Sequence, residues 1–294
     1  MLLKSLHDLP ARPEQAVIIN VGTKWVSTLA LLSALKYADM PVLVIDCEYG
    51  DGSLEHFRGL METHSFDLLS APLKKHGLTL DWLFQNIPAE KVLLIDSDVE
   101  ILGDEIIRLA KNLIEAQPED QEVVFGAGFT HGPCWIHNHR GFGYYQERMW
   151  VPLTFLRTAH VREALQKGLS FADRTILNDF RPSRLISRIL MARFRFPLFK
   201  TWKLSWLNPF KQSYYGQKPS YVFCDTGADI FQYLKYDLGR QFAGIPGELH
   251  RRFVTHFHGI TRRILDPEDG NSQQNGGFEQ VRNRLETEYG ISVR

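Results

Sequence analysis

Lys91 to Leu102 reads KVLLIDSDVEIL. Its apolar run, Val92 to Ile95, ends in Asp96-Ser97-Asp98. Alternate side chains of a strand share a face, so a strand carried through this stretch sets Asp96 and Asp98 side by side. Two carboxylates at the end of a buried strand repel each other unless a cation lies between them. Hard oxygen ligands suit Mg²⁺ or Mn²⁺. The plainer reading is that Asp96 ends the strand and Asp98 caps the next element. Short motifs recur by chance, so the flanking sequence has to decide.

Working outward, short apolar runs alternate with helical patterns. Ala16 to Val21 (AVIINV) predicts a strand, and Trp25 to Tyr37 has apolar residues at helical spacing. Pro41 to Asp46 (PVLVID) is nearly all apolar, as in a parallel sheet covered on both faces. A helix is expected over Leu54 to Leu60, with Ser53 or Asp51 as its cap. Ser65 to Ser70 predicts a strand and Leu80 to Ile87 a helix. After the strand Lys91 to Asp96 come a helix over Asp104 to Ala116 and a strand over Glu122 to Gly126. This alternation predicts an open α/β, Rossmann-like sheet, mostly parallel and flanked by helices. Ligands of such sheets bind outside the carboxyl ends of the strands. Asp46 and the Asp96/Asp98 pair both stand at such ends, so they are expected to share one crevice.

The chain has 294 residues, 44% hydrophobic, with a formal net charge of zero. That is ample for a core and gives no global field toward nucleic acid. Its three cysteines, Cys47, Cys134 and Cys224, are far apart, which argues against a disulfide framework and for a reducing, cytoplasmic setting. The first residues, MLLKSLHDLPARPEQ, read as mature sequence. No run approaches a membrane span.

Beyond Gly128 the pattern changes. His131 to Tyr145 reads as a polar, aromatic loop over the same sheet edge. Its His131, Cys134, His137 and His139 fit no common zinc spacing. Glu147 to Arg157 predicts a returning strand and Thr158 to Lys167 a helix. Between Asp179 and Asp225 there is no acidic residue but nine Lys or Arg, interleaved with aromatics. Two readings fit Arg184–Tyr215 best, with nucleic-acid binding a weaker third. One is a peripheral contact with an anionic membrane surface. The other is a lid whose aromatics are core and whose arginines are solvated. Asp225 or Thr226 is expected to cap a helix bearing Ile230, Phe231 and Leu234 that ends at Gly239. Arg252 to His258 predicts a strand with His256 and His258 on one face. A polar loop, 266–277, precedes a closing helix over Phe278 to Tyr289.

In this order the segments resemble the GT-A class of glycosyltransferases, and within it the family 2-like bacterial enzymes. The resemblance rests on VLVIDCEYGDGS (42–53), VLLIDSDVEIL (92–102), ERMWVPLTFLRTAHVREAL (147–165), CDTGADIFQYL (224–234) and HFHGIT (256–261). It implies one GT-A domain over 1–294. A nucleotide-sugar half would span about 14–130 and an acceptor half about 131–265, with a basic, aromatic-rich insertion at about 181–221. It implies a UDP- or GDP-linked sugar donor, a glycan or lipid-linked acceptor, no nucleic-acid partner, and Mn²⁺ or Mg²⁺. Val21, Asp46, Asp96, Ser97 and Asp98 would contact the nucleotide. Asp96, Asp98 and His256 would hold the metal, Asp98 more directly than Asp96. Asp225, with Asp229 as second choice, would take the acceptor's proton, giving inversion. Where that family carries Glu-Asp, this chain has Cys224-Asp225.

Two rivals stand beside this reading. A haloacid dehalogenase-type phosphatase also ends a strand in Asp-x-Asp, but its motif opens the domain and continues into a small hydroxylic residue. Here Glu100 stands in that place. The other rival is a non-catalytic nucleotide-sugar-binding protein on the same scaffold.

Overall fold

The computed structural model describes residues 1–47, 50–72, 75–115, 123–131, 134–138, 141–145, 147–177, 221–257 and 275–293. The segment Arg184–Tyr215, His139 and His258 lie outside them. The strands are β1 (Leu2–Leu3), β2 (Arg12–Asn20), β3 (Val42–Asp46), β4 (Asp67–Ser70), β5 (Ala89–Asp96), β6 (Val99–Ile101), β7 (Val124–His131), β8 (Cys134–Asn138), β9 (Gly141–Tyr145), β10 (Arg148–Arg157), β11 (Arg174–Leu177), β12 (Tyr221–Cys224), β13 (Gln241–Gly244) and β14 (Val254–His256). The α-helices are α1 (Lys24–Tyr37), α2 (Ser53–Leu60), α3 (His76–Asn86), α4 (Glu105–Glu115), α5 (Thr158–Gln166), α6 (Ala228–Gln232), α7 (Gly247–Phe253) and α8 (Asn275–Tyr289); a 3-10 turn spans Leu6–Asp8, and a π-helical turn, Tyr233–Asp237, continues α6.

Eight strands form one sheet in the order β1-β4-β3-β2-β5-β10-β7-β13. The pairs from β1 to β5 and the pair β7/β13 are parallel, and β10 returns antiparallel to β5. The protein is therefore mixed α/β with a mostly parallel central sheet, as the sequence predicts. Period-two alternation splits each central strand between two cores. Val17, Ile19, Leu43, Ile45, Val92 and Leu94 face one core, where α3, α5 and α6 pack. Ala16, Ile18, Val42, Val44, Leu93 and Ile95 face the other, under α1, α2 and α4. The opposite face of α1 (Val26, Leu29, Leu32) meets Val281 and Leu285 of α8 and Phe257. Helix α1 is thus covered on two sides, which is why its sequence is apolar nearly all round.

The path of the chain explains the placement of the helices. From β2 the sheet grows through β3 to β4, and then the chain returns to lay β5 on the other side of β2. Right-handed crossovers put α1 and α2 on one face and α3, after the reversal, on the other. The reversal opens a crevice at the carboxyl ends of β2 and β5, where Asn20 and Asp96 stand.

The described residues fall in two compact units. One comprises the described parts of 1–131, 149–172 and 226–294, and contains the sheet and the eight helices above. The other comprises the described parts of 132–148 and 173–225 and carries the antiparallel pairs β8/β9 and β11/β12. The stretch expected as a loop, His131 to Tyr145, therefore contains a paired ribbon. Among the described residues no helix is long and apolar enough to cross a membrane.

Four local expectations are corrected. The strand ends at Asp96 as expected, but Ser97 and Asp98 form the turn into β6, so the two aspartates are not set side by side by strand alternation. The N-cap of α2 is Gly52, at φ +77°; the Ser53 hydroxyl is committed to Asp46 and its N–H to Asp51 Oδ1. The N-cap of α6 is Gly227, at φ +76°, not Asp225 or Thr226. A Cβ on Gly227 would lie 2.5 Å from Met149 Cε, so both backbone and packing demand glycine there. Finally, the stretch expected as a strand over Arg252 to His258 begins inside α7, and among its described residues Val254–His256 form the strand.

Candidate metal and nucleotide site

Three side chains converge beyond β5. Donor atoms of Asp96, Asp98 and His256 all lie within 4.8 Å of one another. His256 Nε2 is 3.1 Å from Asp98 Oδ1. Asp96 and Asp98 are close in sequence, whereas His256 arrives from far downstream. The ribbon β6/β14 brings it in. Val99 pairs with His256, Glu100 with Thr255 and Ile101 with Val254, and the Phe257 N–H donates to the Asp98 carbonyl at 2.8 Å. β6 is held from its other side by α1, where Ser33 Oγ accepts the Ile101 N–H at 3.1 Å.

Burial grades the three side chains. The side chains of Asp98 and His256 are 10% and 11% exposed, and that of Asp96 is 27% exposed. Asp96 is the outward member, and His76, at the start of α3, places Nε2 3.7 Å from its Oδ1. The His256 ring stands edge-on to Trp150, with centroids 5.3 Å apart. Trp150, itself buried, also packs edge-on to His250 at 4.6 Å. The imidazole is therefore oriented by packing as well as by Asp98.

This donor set fits a divalent cation. Two carboxylates and an imidazole supply oxygen and nitrogen ligands, and the clustered negative charge favours a cation. Mg²⁺ is usually held by one or two carboxylates plus substrate phosphates, not by an all-protein cage. A small set with one partly exposed member leaves room for that.

A second polar group fills the ends of β2 and β3. Asp46 is 1% exposed, and its Oδ1 accepts from Asn20 Nδ2 and Ser53 Oγ, each at 2.6 Å. Asn20 Oδ1 accepts from Ser27 Oγ at 2.6 Å, Thr23 Oγ1 at 3.1 Å and the Thr23 N–H at 3.2 Å. Buried polar atoms need such partners. The network ties the turn after β2 and the start of α2 to the strand ends. Asp46 thus lies inside this network, whereas the family resemblance sets it against the nucleotide. Ser97 is buried in the turn, and Val21 is half-buried beside the core.

Sequence reasoning passes over Asn20, Thr23, Ser27, His76 and Trp150. Asn20 ends the apolar run AVIIN as Asp96 ends VLLID. That polar stop after a buried strand is the available signal. His76 and Trp150 carry no local signal, because only the tertiary fold brings them to the cluster.

The two residues expected to take a proton are placed differently. Asp225 precedes α6, with Oδ2 2.5 Å from Arg148 Nη2 and its side chain 41% exposed. Asp229 is in the first turn of α6 and half-buried. Since α6 begins at Ala228, the two do not share a helix face.

No family model matches the chain, and no curated protein matches it. Solved structures do align. S. aureus TarS 1-349 in complex with UDP-GlcNAc is 18% identical over 51% of this chain and 46% of that one, at a TM-score of 0.36. The mannosyltransferase PcManGT from Pyrobaculum calidifontis, in complex with GDP-Man and Mn²⁺, is 14% identical over 56% and 50%, at 0.39. The 4-diphosphocytidyl-2C-methyl-D-erythritol synthase of Anaerococcus prevotii is 10% identical over 65% and 85%, at 0.36. This chain spans about half the length of the first two.

Proposed function

We propose that this protein is a metal-dependent GT-A glycosyltransferase, of the family 2-like kind, working as one domain. It would move a sugar from a UDP- or GDP-linked donor to a glycan or lipid-linked acceptor. The observation that carries the reading is the convergence of Asp96, Asp98 and His256 within 4.8 Å, beside the crevice where the strand order reverses. Two of the three stand in the DSD stretch and the third in HFHGIT, two segments on which the resemblance rests.

Asp98 and His256 would hold a Mn²⁺ or Mg²⁺, with Asp96 completing the set or reaching the ribose. When bound, such a cation neutralises charge on the departing diphosphate. The chain's own residues do the rest. The Asn20–Asp46–Ser53 network holds the rim of the crevice, where Val21 and Ser97 would border the donor. The acceptor hydroxyl loses its proton to a carboxylate as its oxygen bonds the anomeric carbon and the diphosphate leaves. The resemblance assigns that proton to Asp225, or to Asp229. One base without a second nucleophile gives inversion. The basic segment Arg184–Tyr215 is proposed to favour an acceptor at a membrane surface.

A thermal-shift panel of nucleoside diphosphates and nucleotide sugars, with and without Mn²⁺, tests the reading. Stabilisation by a single nucleotide, only with metal, is expected and names the donor class. No response to any member of the panel overturns the proposal.

A further inference from the structure

Glu100 lies two residues past Asp98, on β6, and is 1% exposed. A carboxylate so deeply buried needs a cationic partner. Its partner comes from the far end of the chain. Arg284 of α8 places Nε 3.1 Å from both carboxylate oxygens and Nη2 2.6 Å from Oε1. The Tyr289 hydroxyl donates to the same Oε1 at 3.5 Å. Arg284 is steadied in turn by Glu288, with Nη1 to Oε1 at 3.1 Å. A planar guanidinium that grips both oxygens fixes direction as well as distance.

The place of this grip matters. β6 is only Val99–Ile101, and its pairing with β14 sets His256 beside Asp98. A slip of one residue along that ribbon would turn alternate side chains to the other face and separate the two. On the β14 side, Phe257 packs with Val281 and Leu285 of α8 in the third core. Helix α8 is therefore fastened both to the residue after His256, by packing, and to the residue two beyond Asp98, by the Arg284 fork. The geometry points to Arg284 and Glu100 as positioning residues for the cation site, with α8 as the clamp that keeps Asp98 and His256 in register. This rests on the reading that Asp96, Asp98 and His256 bind a divalent cation. Neither Arg284 nor Glu100 is itself a ligand in this scheme.

Titration of the full chain with Mn²⁺ alone, following the electron paramagnetic resonance signal of the free ion, tests the inference. The wild type is expected to bind Mn²⁺. Arg284→Met is expected to bind it about 10-fold more weakly, the lower end of what orienting partners contribute to metal affinity. Arg284→Lys keeps a charge but loses the fork, and should fall between the two; it decides the matter alone if Arg284→Met does not fold. Glu100→Gln combined with Arg284→Met should bind no more weakly than the worse single variant. A clamp that only stabilises the fold would lower Tm and leave Mn²⁺ affinity unchanged in the folded variants, and that result overturns the inference. Failure of the wild type to bind Mn²⁺ defeats the cation reading itself, a distinguishable outcome.

Discussion

Replacing Asp98 by Asn keeps the shape of the side chain and removes one carboxylate from the cluster. Without metal the change is small. Asp98 faces His256 at 3.1 Å, and an amide can still hydrogen-bond to the imidazole. Trading a charged for a neutral hydrogen bond costs about 1 kcal/mol, and relief of repulsion with Asp96 offsets part of that. With metal the difference is large. A ligand present at 100 times its Kd stabilises the folded state by about 2.7 kcal/mol. For a chain of this size 1 kcal/mol moves Tm by about 2–4 °C, so the wild type should gain about 5–10 °C. Removing one of three protein ligands should weaken binding by about 100-fold, at least as much as loss of an outer partner. The same Mn²⁺ concentration then equals Kd, and the stabilisation falls to about 0.4 kcal/mol. In differential scanning fluorimetry Asp98→Asn should shift by about 1–2 °C or less on adding Mn²⁺. Asp104→Asn is the control, because Asp104 is 51% exposed and pairs with Arg108 one turn away. An Asp98→Asn protein that gains as much from Mn²⁺ as the wild type would refute the assignment of the cluster.

Other expectations rest on single contacts. In Gly77→Ala the new Cβ would lie 2.4 Å from the Ala172 Cα and 2.5 Å from its N, both backbone atoms that cannot swing away. Overpacking of about 1–3 kcal/mol should exceed the gain of about 1 kcal/mol in helix propensity, and chemical denaturation should show a net loss. His56, on α2, accepts or donates a bond to Thr28 Oγ1 at 2.7 Å. Burial, then the charge of Lys24, holds its pKa below the ordinary 6.5. The fold thus favours the neutral ring, so its contribution is present above about pH 6.5 and is lost as pH falls below that. Tm measured across this range should fall less steeply in His56→Gln; an unchanged slope counts against the coupling. If Asp225 takes the acceptor's proton, Asp225→Asn should lower kcat by about 10²- to 10⁴-fold while nucleotide-dependent stabilisation survives. A larger loss in Asp229→Asn would move the role there. Sedimentation with anionic vesicles should carry the protein down, and Arg184→Ala with Arg188→Ala should reduce it; no binding by the wild type removes the membrane-surface reading.

The fold is legible in the sequence because its signals are local and redundant. VLVID is buried at every position, and a strand apolar on both faces belongs to a parallel sheet between two helical layers. Helix α4 shows its apolar face in sequence, and Ile106, Ile107, Ala110 and Ile114 are all buried. The short pieces are not legible. Leu2–Leu3 and Gln241–Gly244 are too brief for any period to show, and they form the two edges of the sheet. The ribbon of β8 and β9 has no Asn-Gly or Asp-Gly between its strands to announce it. The site divides in the same way. Asp96 and Asp98 are visible as a polar stop after a buried run, though the turn at Ser97-Asp98 is not. His256 is visible only through family order, since a histidine between Thr and Phe reads equally well as core.

The buried state of Glu100 bears on the rival reading as a phosphatase. That chemistry needs Asp96 as nucleophile and Asp98 as its neighbouring acid, with a small hydroxylic residue two places further on. Here that place holds a carboxylate, 1% exposed, gripped by Arg284. Exchange for Thr or Ser would remove the carboxylate that the guanidinium grips and leave Arg284 paired with Glu288 alone. The position is therefore occupied by a buried ion pair, not by a hydroxyl. Asp98, meanwhile, faces an imidazole at 3.1 Å, in a cluster where Asp96 is the more exposed member. Both chemistries can use a divalent cation beside Asp96, so the occupant of position 100 and the products formed separate them. The two readings part on a simple assay. Release of inorganic phosphate from a phosphomonoester, abolished by Asp96→Asn, supports the phosphatase. Release of a nucleoside diphosphate from a nucleotide sugar, dependent on Mn²⁺ and on Asp98, supports the transferase.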